Sequence, residues 1–148
     1  MRQTRPPRAD EMREALKSSR TVAVIGLSDD PSRAAYGVSS FLKARGFRIV
    51  PVHPKARTAL GEQVYTSLSA IPDPVDLVYM FRVAEAAPAV AEEAIAKGAR
   101  FLWMPEGVVN EEAAARARDA GLTVIMDRCA IKVWAAVMGP SDRSGRDA

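Results

Sequence analysis

The chain has one cysteine, one histidine and no apolar run of bilayer-spanning length among its 148 residues. A lone Cys129 excludes an internal disulfide and a cysteine-built zinc cage, and it fits a reducing compartment. With His53 as the sole imidazole and the carboxylates scattered, no spacing of donors suggests a metal site. The opening "MRQTRPPRADEMREALKSSR" carries charge but no apolar centre, so no signal peptide is expected there. The absence of a bilayer-length run argues against a membrane partner, and a cytoplasmic location is the expectation. A formal net charge of only +3 is also too small to argue for nucleic acid without a localised patch. The evident basic cluster, Arg2, Arg5 and Arg8, sits in a proline-containing stretch without aromatics and reads as a solvated terminus.

A further absence is a glycine fingerprint. Residues 22–38, "VAVIGLSDDPSRAAYGV", begin as a buried strand running into Gly26, yet the next glycine is Gly37 rather than a second and third glycine close behind. What is present is a regular alternation. Five short apolar, β-branched runs, "TVAVIG", "FRIVPV", "VDLVYMF", "RFLWM" and "LTVIMD", read as strands. Helical spacing separates most of them. One pattern runs from Ser32 to Arg45 with Ala34, Val38, Phe41 and Leu42 on a face. A second runs from Glu85 to Lys97, with Pro88 in its first turn and Gly98 ending it. A third runs from a capping Asn110 to Gly121. Asp10 to Lys17 adds an amphipathic helix ahead of the first strand. The predicted fold is α/β, a Rossmann-like, doubly wound, parallel five-stranded sheet in a single domain over residues 10–138, with flexible tails at 1–9 and 139–148. Strand order 3-2-1-4-5 would place the switch point between the first and fourth strands. The connection "HPKARTALGEQVYTSLSAIPDP" holds only a helical turn around Ser67 to Ala70 and is a candidate ligand-facing loop.

The residues that follow each strand collect at one edge of such a sheet. They are Gly26, Leu27 and Ser28 with the Asp-Pro-Ser-Arg loop after the first, and His53, Pro54, Lys55 and Arg57 after the second. Phe81 and Arg82 follow the third, Pro105, Glu106 and Gly107 the fourth, and Asp127, Arg128 and Cys129 the fifth. Backbone amides after Gly26 and at the following helix start, with arginine and lysine as countercharge, suit a phosphorylated ligand. NAD fits poorly, because the second strand ends in "VHPK" where an acidic residue would hold ribose hydroxyls. Lys55 and Arg57 would instead welcome a ribose phosphate. That leaves NADP or coenzyme A, and the missing glycines favour coenzyme A.

The strings "VAVIGLSDDPSRAAYGVSSFLKARGF", "IVPVHPK" and "FLWMPEGVVNEEAAARARDAGLTVIMDRC", in that order over roughly residues 10–135, resemble the small bacterial CoA-binding proteins of the YccU type. The architecture also resembles the CoA-binding domain of the succinyl-CoA synthetase alpha subunit. The resemblance implies a small-molecule ligand, coenzyme A or an acyl-CoA, held by its nucleotide end between the first glycine loop and the ends of the next strands. It places Gly26, Ser28, Arg33 and Tyr36 in that loop and helix start, Lys55 after the second strand, and Phe81 and Arg82 beside the pantetheine path. The chain departs from the family's common wording at Ala35, His53 and Pro105.

No serine or cysteine stands in a nucleophile motif. His53 before Pro54 reads as a structural residue, and Glu106 in "PEG" as a carboxylate tied to backbone amides. The expectation is a ligand-binding module without assigned catalysis. The alternative from another class is a small NADP-dependent oxidoreductase or redox sensor, and a scaffold with a vestigial site is a third reading. Sequence names no protein partner.

Overall fold

The computed structural model describes residues 5–139. Arg2 and, apart from Gly139, the expected tail at 139–148 lie outside that range. Five parallel strands make the sheet: β1 (Thr21–Ile25), β2 (Arg48–Val52), β5 (Leu77–Met80), β6 (Phe101–Trp103) and β7 (Thr123–Ile125), each strongly buried and matching one of the apolar runs. A two-residue antiparallel hairpin, β3 (Thr58–Ala59) with β4 (Glu62–Gln63), interrupts the long connection after β2. The helices are α1 (Ala9–Ser18), α2 (Ala34–Ala44), α3 (Ala87–Lys97), α4 (Glu111–Asp119) and α5 (Ala130–Val137).

Alternate residues of each strand feed two cores. Val22 and Val24 of β1, Tyr79 of β5 and Trp103 of β6 pack under α1, α2 and α5 through Leu16, Val38, Leu42, Val133 and Trp134. Ala23, Val78, Leu102 and Val124 face the other way, onto Ala91 and Ala94 of α3 and Ala113 and Ala117 of α4. This is the period-two signature of a sheet covered on both faces.

The strand order is β2-β1-β5-β6-β7, so counting only the five parallel strands it is 2-1-3-4-5. The expected 3-2-1-4-5 is therefore corrected, and its cause is Leu68 and Ile71. The connection from β1 to β2 crosses on the α2 face. The next connection carries a short 3-10 turn, Leu68–Ala70, and buries Leu68 and Ile71 in the opposite core. Right-handed crossovers on opposite faces step in opposite directions, so the chain passes back over β1 before β5 begins. The switch point consequently lies between β1 and β5.

Helix ends follow local chemistry. Asn110 caps α4, its side-chain oxygen accepting from Ala113 N at 2.9 Å, with Glu111 and Glu112 in the first turn. Gly98 ends α3 at φ +81°. Helix α5 has no counterpart in the sequence reading. Its first amide, Ala130 N, donates to the Tyr79 hydroxyl at 3.1 Å, so a strand residue acts as its cap. Near the amino end, Arg5 donates to the Glu11 carboxylate at 2.6 and 2.8 Å, and Arg8 lies beside Asp10 at 3.2 Å. Both basic residues are thus engaged with α1.

A candidate ligand cleft at the carboxyl edge of the sheet

Beyond the paired ends of β1 and β5 at the switch point, a cleft of about 1000 Å³ opens among the loops that leave the strands. That volume is at the upper end of the range for small-molecule sites, about 300–1,000 Å³. Its walls bring together Gly26, Ser28 and Arg33 after β1, His53 and Pro54 after β2, Phe81 and Arg82 after β5, and Glu106 after β6. Eight of the twelve expected site residues therefore meet around one cavity. The other four do not line it. Leu27 is fully buried in the α2-side core, Tyr36 is half-buried on α2, and Lys55 and Gly107 are exposed outside the walls. Leu27 breaks the strand alternation: by period two it would face the core of Ala23 and Ile25, but the chain turns at Gly26, φ +95°, and Leu27 joins Val22 and Val24 instead.

Gly26 is confined by the protein itself. It sits at φ +95°, and a Cβ there would stand 2.4 Å from the backbone oxygen of Phe81. Its amide donates to Val52 O at 2.8 Å, and Phe81 N donates to Ile25 O at 2.8 Å, so three neighbouring strand ends are sewn together at this glycine. The close passage of β5's exit is by itself a reason for glycine here.

The loop from Asp29 to Arg33 carries two carboxylates next to a proposed anion site, and both are turned to other work. Asp29 Oδ1 accepts from Leu60 N at 2.8 Å, tying the loop to the β3–β4 hairpin. Asp30 accepts from Ser32 N at 3.0 Å and Ser32 Oγ at 2.6 Å, which lowers its pKa below the usual carboxylate range. Neither aspartate lines the cleft. What faces it at the start of α2 is Arg33, Ala34 and Ala35, with no side-chain cap and no acidic residue in the first turn. An uncapped helix start of this kind presents amide hydrogens and the positive end of the helix dipole.

His53 Nδ1 accepts hydrogen bonds from Lys55 N and Ala56 N, both at 3.0 Å. The ring proton of the neutral form therefore sits on Nε2, and the imidazole caps the turn after β2, as the structural reading of this residue expected. Glu106 behaves differently from expectation. Its carboxylate pairs with Lys132 at 2.9 Å, while the carboxylate that binds a backbone amide is Asp127, accepting from Gly107 N at 2.8 Å. Asp127 does so from the left-handed region, φ 63°, which aspartate tolerates better than most residues.

Beneath the cleft lies a stack of rings. Phe81 lies 4.7 Å from Tyr79 at an interplanar angle of 7°, and Tyr79 lies 5.3 Å from Trp103 at 19°. Burial pushes the Tyr79 phenol above its usual range, and its oxygen is held at Ala130 N. Trp103 is a core residue, as read from the sequence, with Nε1 donating to Arg128 O at 2.9 Å. Cys129 lines the same cleft, at the edge expected for it. Among the described residues no cluster of histidine, cysteine and carboxylates has the makings of a metal site, and no helix is long and apolar enough to cross a membrane.

The family model described as CoA binding domain matches residues 20–135. The chain belongs to that CoA-binding family. It is 44% identical over 131 residues to the uncharacterized protein YneT of Bacillus subtilis (strain 168), covering 88% of this chain and 96% of the relative. It is 35% identical over 95 residues to an ADP-forming acetate–CoA ligase II of Archaeoglobus fulgidus, a match spanning 63% of this chain and only 14% of that ligase. Among solved structures, a hypothetical protein from Pyrococcus horikoshii OT3 superposes with a TM-score of 0.86 at 32% identity, covering 94% of this chain and all of that one.

Within this CoA-binding domain, the three departures noted in the sequence, Ala35, His53 and Pro105, all fall in the cleft wall. Sequence reasoning missed Thr66, Ser67, Tyr79, Val83, Glu93 and Val108 as lining residues. Thr66 and Ser67 belong to the connection singled out as ligand-facing, so the region was visible though the residues were not. Tyr79 was hidden inside an apolar strand, and Glu93 on a helix whose end approaches the edge.

Proposed function

We propose that the protein binds coenzyme A in this cleft, with the diphosphate at the start of α2 and the adenosine end toward the loop after β2. The observation that carries this reading is the uncapped first turn of α2, open to the cleft beside Arg33 while both nearby aspartates are turned onto other partners. A dianionic diphosphate gains there from amide donors, helix dipole and guanidinium together. Lys55 and Arg57, exposed beyond the wall after β2, supply charge for the ribose phosphate. The pantetheine arm then runs past Phe81 and Arg82 toward the loops after β6 and β7. Membership of the CoA-binding family supports the ligand class. The reading includes no catalytic residue, and the protein acts as a binding module.

Calorimetry with coenzyme A, NAD and NADP tests this reading. Coenzyme A is expected to bind and NAD to give no heat, while tighter binding of NADP would overturn the assignment and favour an oxidoreductase. Arg33→Ala should weaken coenzyme A by about tenfold, the scale of one lost charge-assisted hydrogen bond. Arg33 is exposed and its only ion pair among the described residues is a 3.7 Å contact with Asp30, so the substitution leaves the fold intact.

A further inference from the structure

Three large apolar side chains stand out in solvent among the described residues: Val83, Val109 and Ile131, at 65%, 47% and 36% exposure. Scattered singly over a surface such residues mean nothing. Here all three lie on the segments that leave β5, β6 and β7. Val83 lines it directly, and Val109 follows Val108, which also does. Asn110 Nδ2 donates to Ala84 O at 2.9 Å, pinning the two loops together so that Val83 and Val109 flank a single hydrogen bond. Ile131 precedes Lys132, whose ammonium reaches Glu106 in the cleft wall and offsets its charge. Further in, Phe81, Pro105, Val108 and Cys129 continue the surface.

The distribution is lopsided. The uncapped amides of α2 and Arg33 occupy the β1–β2 end, and at the β5–β7 end Phe81, Pro105 and Val108 make an apolar surface with Val83 on its rim, beside the charged Arg82, Glu93 and Glu106. A ligand laid with its diphosphate at α2 sends its sulfur toward that rim. Free coenzyme A stops there with a thiol and leaves the valines in water, whereas an aliphatic thioester continues across them. We propose that the ligand class is an acyl-CoA bearing a short to medium aliphatic chain, which lies over Val83 and Val109. This inference rests on the coenzyme A reading and adds the acyl group to it.

The test is a titration series with coenzyme A, acetyl-CoA, butanoyl-CoA, hexanoyl-CoA and octanoyl-CoA, run on the wild type and on the Val83→Ser/Val109→Ser double variant. The readout is the affinity ratio of each acyl-CoA to coenzyme A within one protein, so a change in coenzyme A affinity itself does not confound it. Full burial is worth about fourfold per methylene. On an open rim the wild type should show acetyl-CoA close to coenzyme A and octanoyl-CoA at least about tenfold tighter. In the double variant the ratio should collapse toward one, and the exposure of both valines makes unfolding no obstacle. A flat series in the wild type, or a chain-length gain that survives in the double variant, overturns the acyl assignment while leaving coenzyme A binding intact. No heat with any of the five ligands overturns the coenzyme A reading beneath it.

Discussion

The two faces of the sheet are built of different material. Every buried aromatic ring among the described residues, Phe47, Tyr79, Phe101, Trp103 and Trp134, lies in the core under α1, α2 and α5. The core under α3 and α4 has none, and is filled instead by Val, Leu, Ile and Met against a bed of alanines, Ala87, Ala91, Ala94, Ala113, Ala114 and Ala117. The alanine bed lets α3 and α4 lie close to each other and to the strands, so what that face cannot absorb is added volume. The ring face relies on large, stacked, hydrogen-bonded side chains, so what it cannot absorb is lost volume. The ring face also reaches the cleft, through the Phe81–Tyr79–Trp103 stack.

Opposite substitutions on the two faces should expose this difference. Trp103→Ala removes the largest buried ring, its stacking on Tyr79 and its bond to Arg128 O, and should lower unfolding free energy in a urea titration by about 3–5 kcal/mol. Gly26→Ala, at the seam between the faces, meets Phe81 O at 2.4 Å in a left-handed conformation and should lose about 2–3 kcal/mol. If it melts like the wild type, the tight passage of β5 over Gly26 is wrong. On the alanine face, Ala91→Leu should lose about 1–3 kcal/mol by overpacking; an unchanged denaturation midpoint would mean the α3–α4 side has slack. Tyr79→Phe keeps the ring and removes only the oxygen at Ala130 N. A loss of about 1–2 kcal/mol, with faster hydrogen exchange at Ala130, should follow.

The smallest effect concerns α1, which closes the ring face. Hydrogen bonding from Arg5 holds the Glu11 carboxyl at about 2, well below its ordinary value of 4.5. The charged form is thus favoured by folding, so this contribution is complete above pH 4.5 and is lost as pH falls toward 2. Glu11→Gln should cost under about 1 kcal/mol at pH 7 and much less at pH 2, as thermal melts at the two pH values would show.

Much of this architecture is legible in the order of the amino acids. The five strands can be read because parallel strands buried on both faces are continuous apolar runs. The helices α2, α3 and α4 can be read from their spacing and their stops at Gly46, Gly98 and Gly121. Helix α5 cannot, because Cys129 is no capping residue and its cap, Tyr79, is some fifty positions away. The faint signal is the spacing of Ala130, Val133 and Trp134 ahead of Gly139 and Pro140. Strand order escapes because it hangs on which face Leu68 and Ile71 choose, a tertiary matter. The β3–β4 hairpin is too short for periodicity to show. At the cleft, loop residues after strands are found by position alone, while Leu27 and Tyr36 show that adjacency along the chain does not decide which way a side chain turns.

Pro51 in β2 has a consequence for how the molecule behaves among its own copies. In a parallel strand the N–H and C=O of one residue point to the same side, and Pro51 O accepts from Tyr65 N, away from β1. The missing proline N–H therefore faces outward and weakens no bond within the sheet. His53 N donates to Tyr65 O at the next step, so Tyr65 forms a one-residue bridge alongside the strand. An incoming strand would find at this border a proline without a donor and a carbonyl already taken. At the far border β7 offers only three residues, with the Arg118 guanidinium on Val124 O. Both borders are thus poor templates for strand-by-strand aggregation, a protection built from one proline, one tyrosine and one arginine.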